Sequence, residues 1–263
     1  MSCKKTFLIL THTFIAGLLS LYVAGAICAG QDPLPKLKGK DPLPGSLSGP
    51  GVEALDAFGK APVEEDIKPG KTIQGMLLQA IGMDDVPKVR YLIAKGAEVN
   101  QPFSREGDTP LMLAQSLSMA RALIHKGANV SARDAKNGTV LHYAVTRPAA
   151  KKLLPFLVES GADINVRGWE EKTPLNLAVI YLNETRTADK GIIELLVTLG
   201  ADINAPDNNG YTGLMQAAAT GNDSLADLFL SLGADKTLTT ENGKTAKDMA
   251  FDSGSRYIYQ RLE

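Results

Sequence analysis

Gly161-Ala162-Asp163-Ile164-Asn165 returns almost unchanged at Gly200-Ala201-Asp202-Ile203-Asn204. Weaker copies stand at Gly96-Ala97-Glu98-Val99-Asn100, Gly127-Ala128-Asn129-Val130-Ser131 and Gly233-Ala234-Asp235. The five glycines are spaced by 31, 34, 39 and 33 residues. A recurrence of this length marks a chain built from stacked repeats.

The residues around each copy explain the period. Before the glycine comes a short apolar helical pattern, as in Val89-Arg90-Tyr91-Leu92-Ile93 or Ile192-Ile193-Glu194-Leu195-Leu196-Val197. Glycine closes that helix because it takes the left-handed cap without a Cβ penalty. A turn follows, clearest at Asp207-Asn208-Asn209-Gly210, where Asn and Gly tolerate left-handed backbone. After the turn comes Thr109-Pro110-Leu111-Met112-Leu113-Ala114 in one copy and Thr173-Pro174-Leu175-Asn176-Leu177-Ala178 in another. Threonine suits an N-cap, and proline suits the first helical position, where an N–H is not needed. Each unit therefore runs turn, helix, short loop, helix, glycine.

With these residues in place, the chain resembles an array of ankyrin repeats, whose signature is T-P-L-H-x-A in a unit of about 33 residues. Thr139-Val140-Leu141-His142-Tyr143-Ala144 keeps the histidine, Thr212-Gly213-Leu214-Met215-Gln216-Ala217 has glycine for proline, and Thr245-Ala246-Lys247-Asp248-Met249-Ala250 is more degenerate. Gly75-Met76-Leu77-Leu78-Gln79-Ala80 keeps only the apolar core of the motif. The resemblance covers roughly residues 70–263. It implies an all-α solenoid of helix pairs with β-hairpin or turn fingers, in about five to six repeats. End units must present a polar outer side, and the first and last units are the poorest matches. Tyr257-Ile258-Tyr259 is expected to make the apolar contact of a C-terminal cap.

The composition is 44% hydrophobic and 22% charged with net charge −1. It makes no electrostatic case for a nucleic-acid partner. Residues 1–30 stand apart: Lys4 and Lys5 are their only charges, an apolar run spans Phe7 to Ala26, and small residues end it at Ala29-Gly30. That order is expected of an export signal cut near Ala29 or Gly30. An uncleaved anchor is the alternative, since the run is long enough to span a bilayer. Either places the remainder outside the cytoplasm, periplasmic or secreted. A third reading, lipidation at Cys28, meets Ile27 just before the cysteine. The two cysteines, Cys3 and Cys28, both lie in this segment, so the remainder depends on its stacked core rather than on disulfides. Removing the segment takes two lysines and no acid, which moves the net charge to −3.

Residues 31–70 repeat Asp-Pro-Leu-Pro at 32–35 and 41–44. Proline at this density favours extended or disordered chain, so this stretch is expected to be a linker before a repeat domain at 71–263. Inside that domain one unit is long, with its surplus between Leu182 and Lys190, expected as a loop or an extended first helix. Pro148 can start a second helix, and Pro155 is expected to kink or delay it.

Catalytic signals are sparse. Gly70-Lys71-Thr72 and Gly243-Lys244-Thr245 lack the first glycine of a phosphate loop. His125 and His142 have no second histidine or cysteine at ligand spacing. No metal, cofactor, catalytic group or small-molecule substrate is expected, and membrane contact is expected only through an uncleaved N-terminus. A protein partner remains. The ankyrin resemblance implies a concave face built from finger tips and first helices. The tip candidates are Phe103, Arg105, Arg133, Lys136, Arg167 and Trp169, and the first-helix candidates are Gln115, Ser118, Tyr143, Arg147, Tyr181, Gln216 and Asn222. Trp169 is the sole tryptophan; it can anchor a partner or fold over a neighbouring tip. Tyr143 and Tyr181 have packing between repeats as their alternative role. The partner could be a toxin or envelope enzyme that this chain inhibits, or the chain could be a tethered envelope accessory.

Overall fold

The computed structural model describes residues 72–185 and 190–263. The expected export signal and linker lie outside those residues. Six helix pairs follow in chain order: α1 (Ile73–Gly82) with α2 (Val86–Ala94), a 3-10 turn (Pro110–Leu113) with α3 (Leu117–His125), α4 (Val140–Ala144) with α5 (Ala150–Glu159), α6 (Pro174–Thr185) with α7 (Gly191–Thr198), α8 (Gly213–Ala219) with α9 (Asp223–Ser231), and α10 (Ala246–Ser253) with α11 (Arg256–Arg261). First members pack in one row: α1 on the 3-10 turn, then α4, α6, α8 and α10. Second members pack alongside, α2 on α3, α3 on α5, α5 on α7, and α9 on α11. Units distant in sequence do not interleave in these contacts. Among the described residues no helix is long and apolar enough to cross a membrane.

One cap, built five times, sets the repeat. Gly96, Gly127, Gly161, Gly200 and Gly233 all have positive φ, between 86° and 102°. In each, the alanine that follows donates its N–H to the carbonyl five residues back along the helix: Ala97 to Leu92, Ala128 to Leu123, Ala162 to Leu157, Ala201 to Leu196 and Ala234 to Phe229, at 2.9–3.0 Å. The accepting residues are fully buried. A non-glycine side chain would meet a left-handed penalty here, and the bond satisfies a helix carbonyl that would otherwise be orphaned.

Threonine starts each later unit as expected, and the residue three places on decides what the cap does. The Thr139 N–H donates to His142 Nδ1 at 3.1 Å. The Thr173 N–H donates to Asn176 Oδ1 at 2.9 Å, and the Thr245 N–H to Asp248 Oδ2 at 2.8 Å. At the second pair the acceptor is only the Met112 thioether, at 3.4 Å, and the first helix there is a four-residue 3-10 turn.

The core is a strip of leucine, isoleucine, valine, methionine and alanine between the two rows, with Leu77, Leu111, Leu141, Leu175 and Leu214 at matched positions. Burying each such side chain contributes about 1.5–3 kcal/mol. Between pairs run fingers at 97–108, 128–138, 162–172, 201–211 and 234–244. They are turns rather than extended strands; the described residues hold one isolated bridge, Thr239 with Thr245. In the long unit residues 182–185 belong to α6, which has 12 residues, and residues 186–189 lie outside the described residues. Pro155 does not delay the helix: α5 runs from Ala150 to Glu159 with Pro155 inside it. Ile258 is fully buried, as the C-terminal cap requires.

Candidate functional site

The fingers are joined at two levels. At their base, side-chain carboxamides form rungs. Asn100 Nδ2 donates to the Gly127 carbonyl at 2.9 Å, and its Oδ1 accepts from the Asn129 N–H at 2.8 Å. Asn165 repeats both bonds with the Gly200 carbonyl and the Asp202 N–H, at 3.0 and 2.8 Å. Asn204 accepts from the Asp235 N–H at 2.8 Å. Gln74 pairs with both backbone groups of Glu98.

At the tips, arginines take over. Arg133 donates to the Arg167 carbonyl at 2.8 Å, and Arg167 donates to the Pro206 carbonyl at 2.8 Å. Both remain exposed, so these two tip candidates act first as braces from one finger to the next.

Trp169 does the same at greater depth. Its indole N–H donates to Asp134 Oδ2 at 2.9 Å. Its ring meets Tyr143 edge-on at 5.1 Å and lies 5.7 Å from the His142 ring. Both supporting glycines are forced: a Cβ on Gly138 would sit 2.4 Å from Trp169 Nε1, and one on Gly168 would sit 2.4 Å from His142 Nε2. Trp169 therefore folds over the neighbouring finger, the second of its two sequence roles, and leaves a partly exposed ring surface. The backbone just beyond it is strained, since Glu170 and Glu171 are both left-handed, with φ of 54° and 57°.

Asp134 is the hub. Its Oδ1 accepts from the N–H groups of Lys136 and Gly138, both at 2.8 Å, and its Oδ2 accepts from Tyr143 Oη at 2.8 Å as well as from Trp169. Burial alone would raise its pKa, but the donors Tyr143, Trp169, Gly138 and Lys136 hold it below the ordinary carboxylate value. Tyr143 has one phenolic proton, which it shares between Asp134 Oδ2 and Asp108 Oδ1, the latter 2.5 Å away. Burial and then the two carboxylates push its phenol far above the usual range, so it stays a neutral donor. Tyr143 packs between repeats, its alternative sequence role, and adds hydrogen bonds to two carboxylates that the sequence did not indicate.

His142 has both nitrogens committed. Nδ1 accepts from Thr139, so Nε2 carries the proton and donates to the Lys172 carbonyl at 3.0 Å. Burial pulls its pKa below 6.5, against smaller opposing pulls from the Lys172 carbonyl and Asp134. The unfolded chain thus binds this proton more readily. Its contribution to stability is complete above about pH 6.5 and is lost as pH falls towards the lowered folded value. His142→Asn keeps an amide acceptor for Thr139, as Asn176 does in the next unit. We expect thermal melts of the parent chain to fall between pH 6.5 and 5 and those of His142→Asn to be flatter across that window.

Other candidates are placed as follows. Arg147, expected on a first helix, lies three residues past α4; it is partly buried and donates to the Met112 carbonyl at 2.6 Å, tying this loop to the preceding 3-10 turn. Asn222 caps α9 through the Leu225 N–H and reaches Asn183. Tyr181 and Phe103 are half-buried, while Arg105, Gln115 and Ser118 are exposed. Gln216 is partly buried, and its Oε1 has no hydrogen-bond partner. Among the described residues no three His, Cys, Asp or Glu side chains gather to hold a metal. Sequence reasoning missed the Asp134 hub, although an Asp four residues before Gly138 is a turn signal.

The family model "Ankyrin repeat" matches residues 106–135 and 170–208, and "Ankyrin repeats (many copies)" matches 196–250. Rabankyrin-5 of Homo sapiens is 30% identical over 129 residues, which cover 44% of this chain and 11% of that protein. Putative ankyrin repeat protein FPV031 of Fowlpox virus (strain NVSL) is 35% identical over 111 residues, 40% of this chain and 32% of that protein. The chain thus spans only a small part of these relatives. A solved structure of the Bd0816 predatory endopeptidase from Bdellovibrio bacteriovorus in complex with immunity protein Bd3460 contains a chain that matches with TM-score 0.59 and 26% identity, over 71% of this chain and 96% of that one. Repeated caps, threonine starts, stacked pairs and these matches agree, and the chain belongs to the ankyrin repeat family.

Proposed function

We propose that this chain is an exported, non-enzymatic scaffold that binds one protein through its finger tips and first-helix face, as an inhibitor or immunity-type partner of a hydrolase. The supporting observation is the match to 96% of a chain from an endopeptidase–immunity complex. Export rests on the sequence of residues 1–30, and periplasmic residence follows from that expectation. The non-enzymatic reading rests on His142, whose two nitrogens are spent on the fold. Arg133, Arg147, Arg167 and Trp169 are partly occupied by structural bonds. Arg105, Gln115, Phe103, Tyr181 and Gln216 then carry more of the recognition, with the open ring surface of Trp169 beside them.

Crosslinking in the native cell, followed by identification of the captured protein, tests this reading. The expected capture is an exported hydrolase whose activity falls when the purified chain is added. Capture of cytoplasmic proteins alone would overturn it. Once the partner is in hand, Arg105→Glu should weaken its binding about tenfold or more with unchanged melting temperature. Arg90→Glu, on the second-helix row, should leave binding unchanged. N-terminal sequencing of the isolated protein separates a free form from a tethered one.

A further inference from the structure

The carboxamide ladder has one missing rung. Two asparagines, Asn100 and Asn165, bridge the carbonyl of the next glycine cap and the N–H two residues on, and Asn204 accepts the equivalent N–H of Asp235. At the equivalent place between the second and third units stands Ser131. Its single hydroxyl cannot span a carbonyl and an N–H as a carboxamide does. The two backbone groups a rung would take are the Gly161 carbonyl and the Asp163 N–H. Neither meets a hydrogen-bond partner among the described residues, and Ser131, Gly161 and Asp163 are all exposed. Ser131 and Asp163 line a cleft of about 190 Å3 together with Val130, Arg133, Thr139, Ala162 and Val166; Gly161 precedes the lining residue Ala162 in the chain.

We infer that this cleft is a recognition slot for a primary carboxamide, the side chain of an asparagine or glutamine in a bound polypeptide. The molecule itself supplies the precedent. Where the ladder is intact, a carboxamide oxygen accepts one backbone N–H while its NH2 donates to one backbone carbonyl. The same acceptor and donor are left open here, beside an apolar floor of Val130, Val166 and Ala162 that takes the methylene groups. A carboxylate would face the Gly161 carbonyl with a second acceptor, and an aliphatic side chain would leave both groups unpaired. The neighbouring units stay braced by Arg133 and Trp169, so the gap does not collapse the stack.

This inference deepens the protein-binding reading by naming what one site recognises, and its test needs no knowledge of the natural partner. The full chain, labelled with nitrogen-15, is titrated with the capped peptides acetyl-Ala-Asn-Ala-N-methylamide and its Gln, Asp and Leu counterparts. The Asp163 amide signal should move saturably with the Asn and Gln peptides and about tenfold more weakly with Asp and Leu, the ratio for one lost hydrogen-bonded contact. Ser131→Asn should restore the rung, raise the melting temperature and abolish the response. Ser131→Ala leaves the slot open and should keep it. A flat Asp163 signal, an equal response to the Leu peptide, or a response that survives in Ser131→Asn would each overturn the assignment. Those outcomes would leave the scaffold reading, which is judged by the captured hydrolase, untouched.

Discussion

Asp134→Ala is expected to lower the unfolding free energy by about 3–4 kcal/mol, measured by urea denaturation, because one buried carboxylate is removed that accepts three hydrogen bonds and shares the Tyr143 proton with Asp108. Two of those bonds close its own turn, from Lys136 and Gly138, and two hold Tyr143 and Trp169. Its residue is only 7% exposed, so the indole N–H of Trp169 would be left without its acceptor. Asp207, the corresponding residue two fingers on, supplies the comparison. It accepts from the N–H groups of Asn209 and Tyr211, and its other oxygen has only Lys172 Nζ at 3.8 Å. Asp207→Ala should therefore cost about 1–2 kcal/mol, roughly the value of the turn bonds alone. Equal losses in the two variants would show that the Trp169 and Tyr143 bonds contribute nothing. The Asp134 contribution is also tied to acid: with its pKa held below 3.8, it persists above that pH and fades only as pH falls through the lowered value.

The second large effect concerns Phe229. Its ring is fully buried, and it fills the space where a side chain on residue 213 would stand: a Cβ at Gly213 would lie 2.4 Å from Phe229 Cζ. Phe229→Ala should cost about 3–5 kcal/mol through lost burial and the cavity left behind. The less obvious outcome is at Gly213, where the repeat motif has proline. Gly213→Pro restores the motif yet should destabilise by about 1–3 kcal/mol, because it forces two groups into one volume. Phe229→Leu combined with Gly213→Pro should cost less than the sum of the two single changes, since the sites touch. Strict additivity in that cycle, read from chemical denaturation, would mean that the ring does not explain the glycine.

This pairing shows what was legible beforehand. The glycine caps and threonine starts could be read because each depends on backbone geometry within a few residues, where φ at Gly161 or a bond from Thr173 to Asn176 is decided locally. The pairing of Gly213 with Phe229 could not, because each is explained only by the other, in space. Trp169 shows the same limit. Its sequence leaves anchor and cover equally open, and the choice is made by Asp134, 35 residues earlier. The arginines at 133 and 167 are alike in sequence to any exposed tip residue, and only the next finger reveals the carbonyls they hold. Pro155 looked disruptive because its rule is local, yet it lies inside a helix whose Leu153, Leu154 and Leu157 are buried.

The glycine caps carry one more consequence, for how such a chain changes over generations. Each cap closes on its own helix, so recombination that inserts or deletes a whole unit severs none of them. The clasp of Trp169 on Asp134 and of His142 on the Lys172 carbonyl is different, because it matches particular neighbours. Duplication can therefore lengthen or shorten the array towards its ends, while the order of units from finger two through finger three is locked against shuffling.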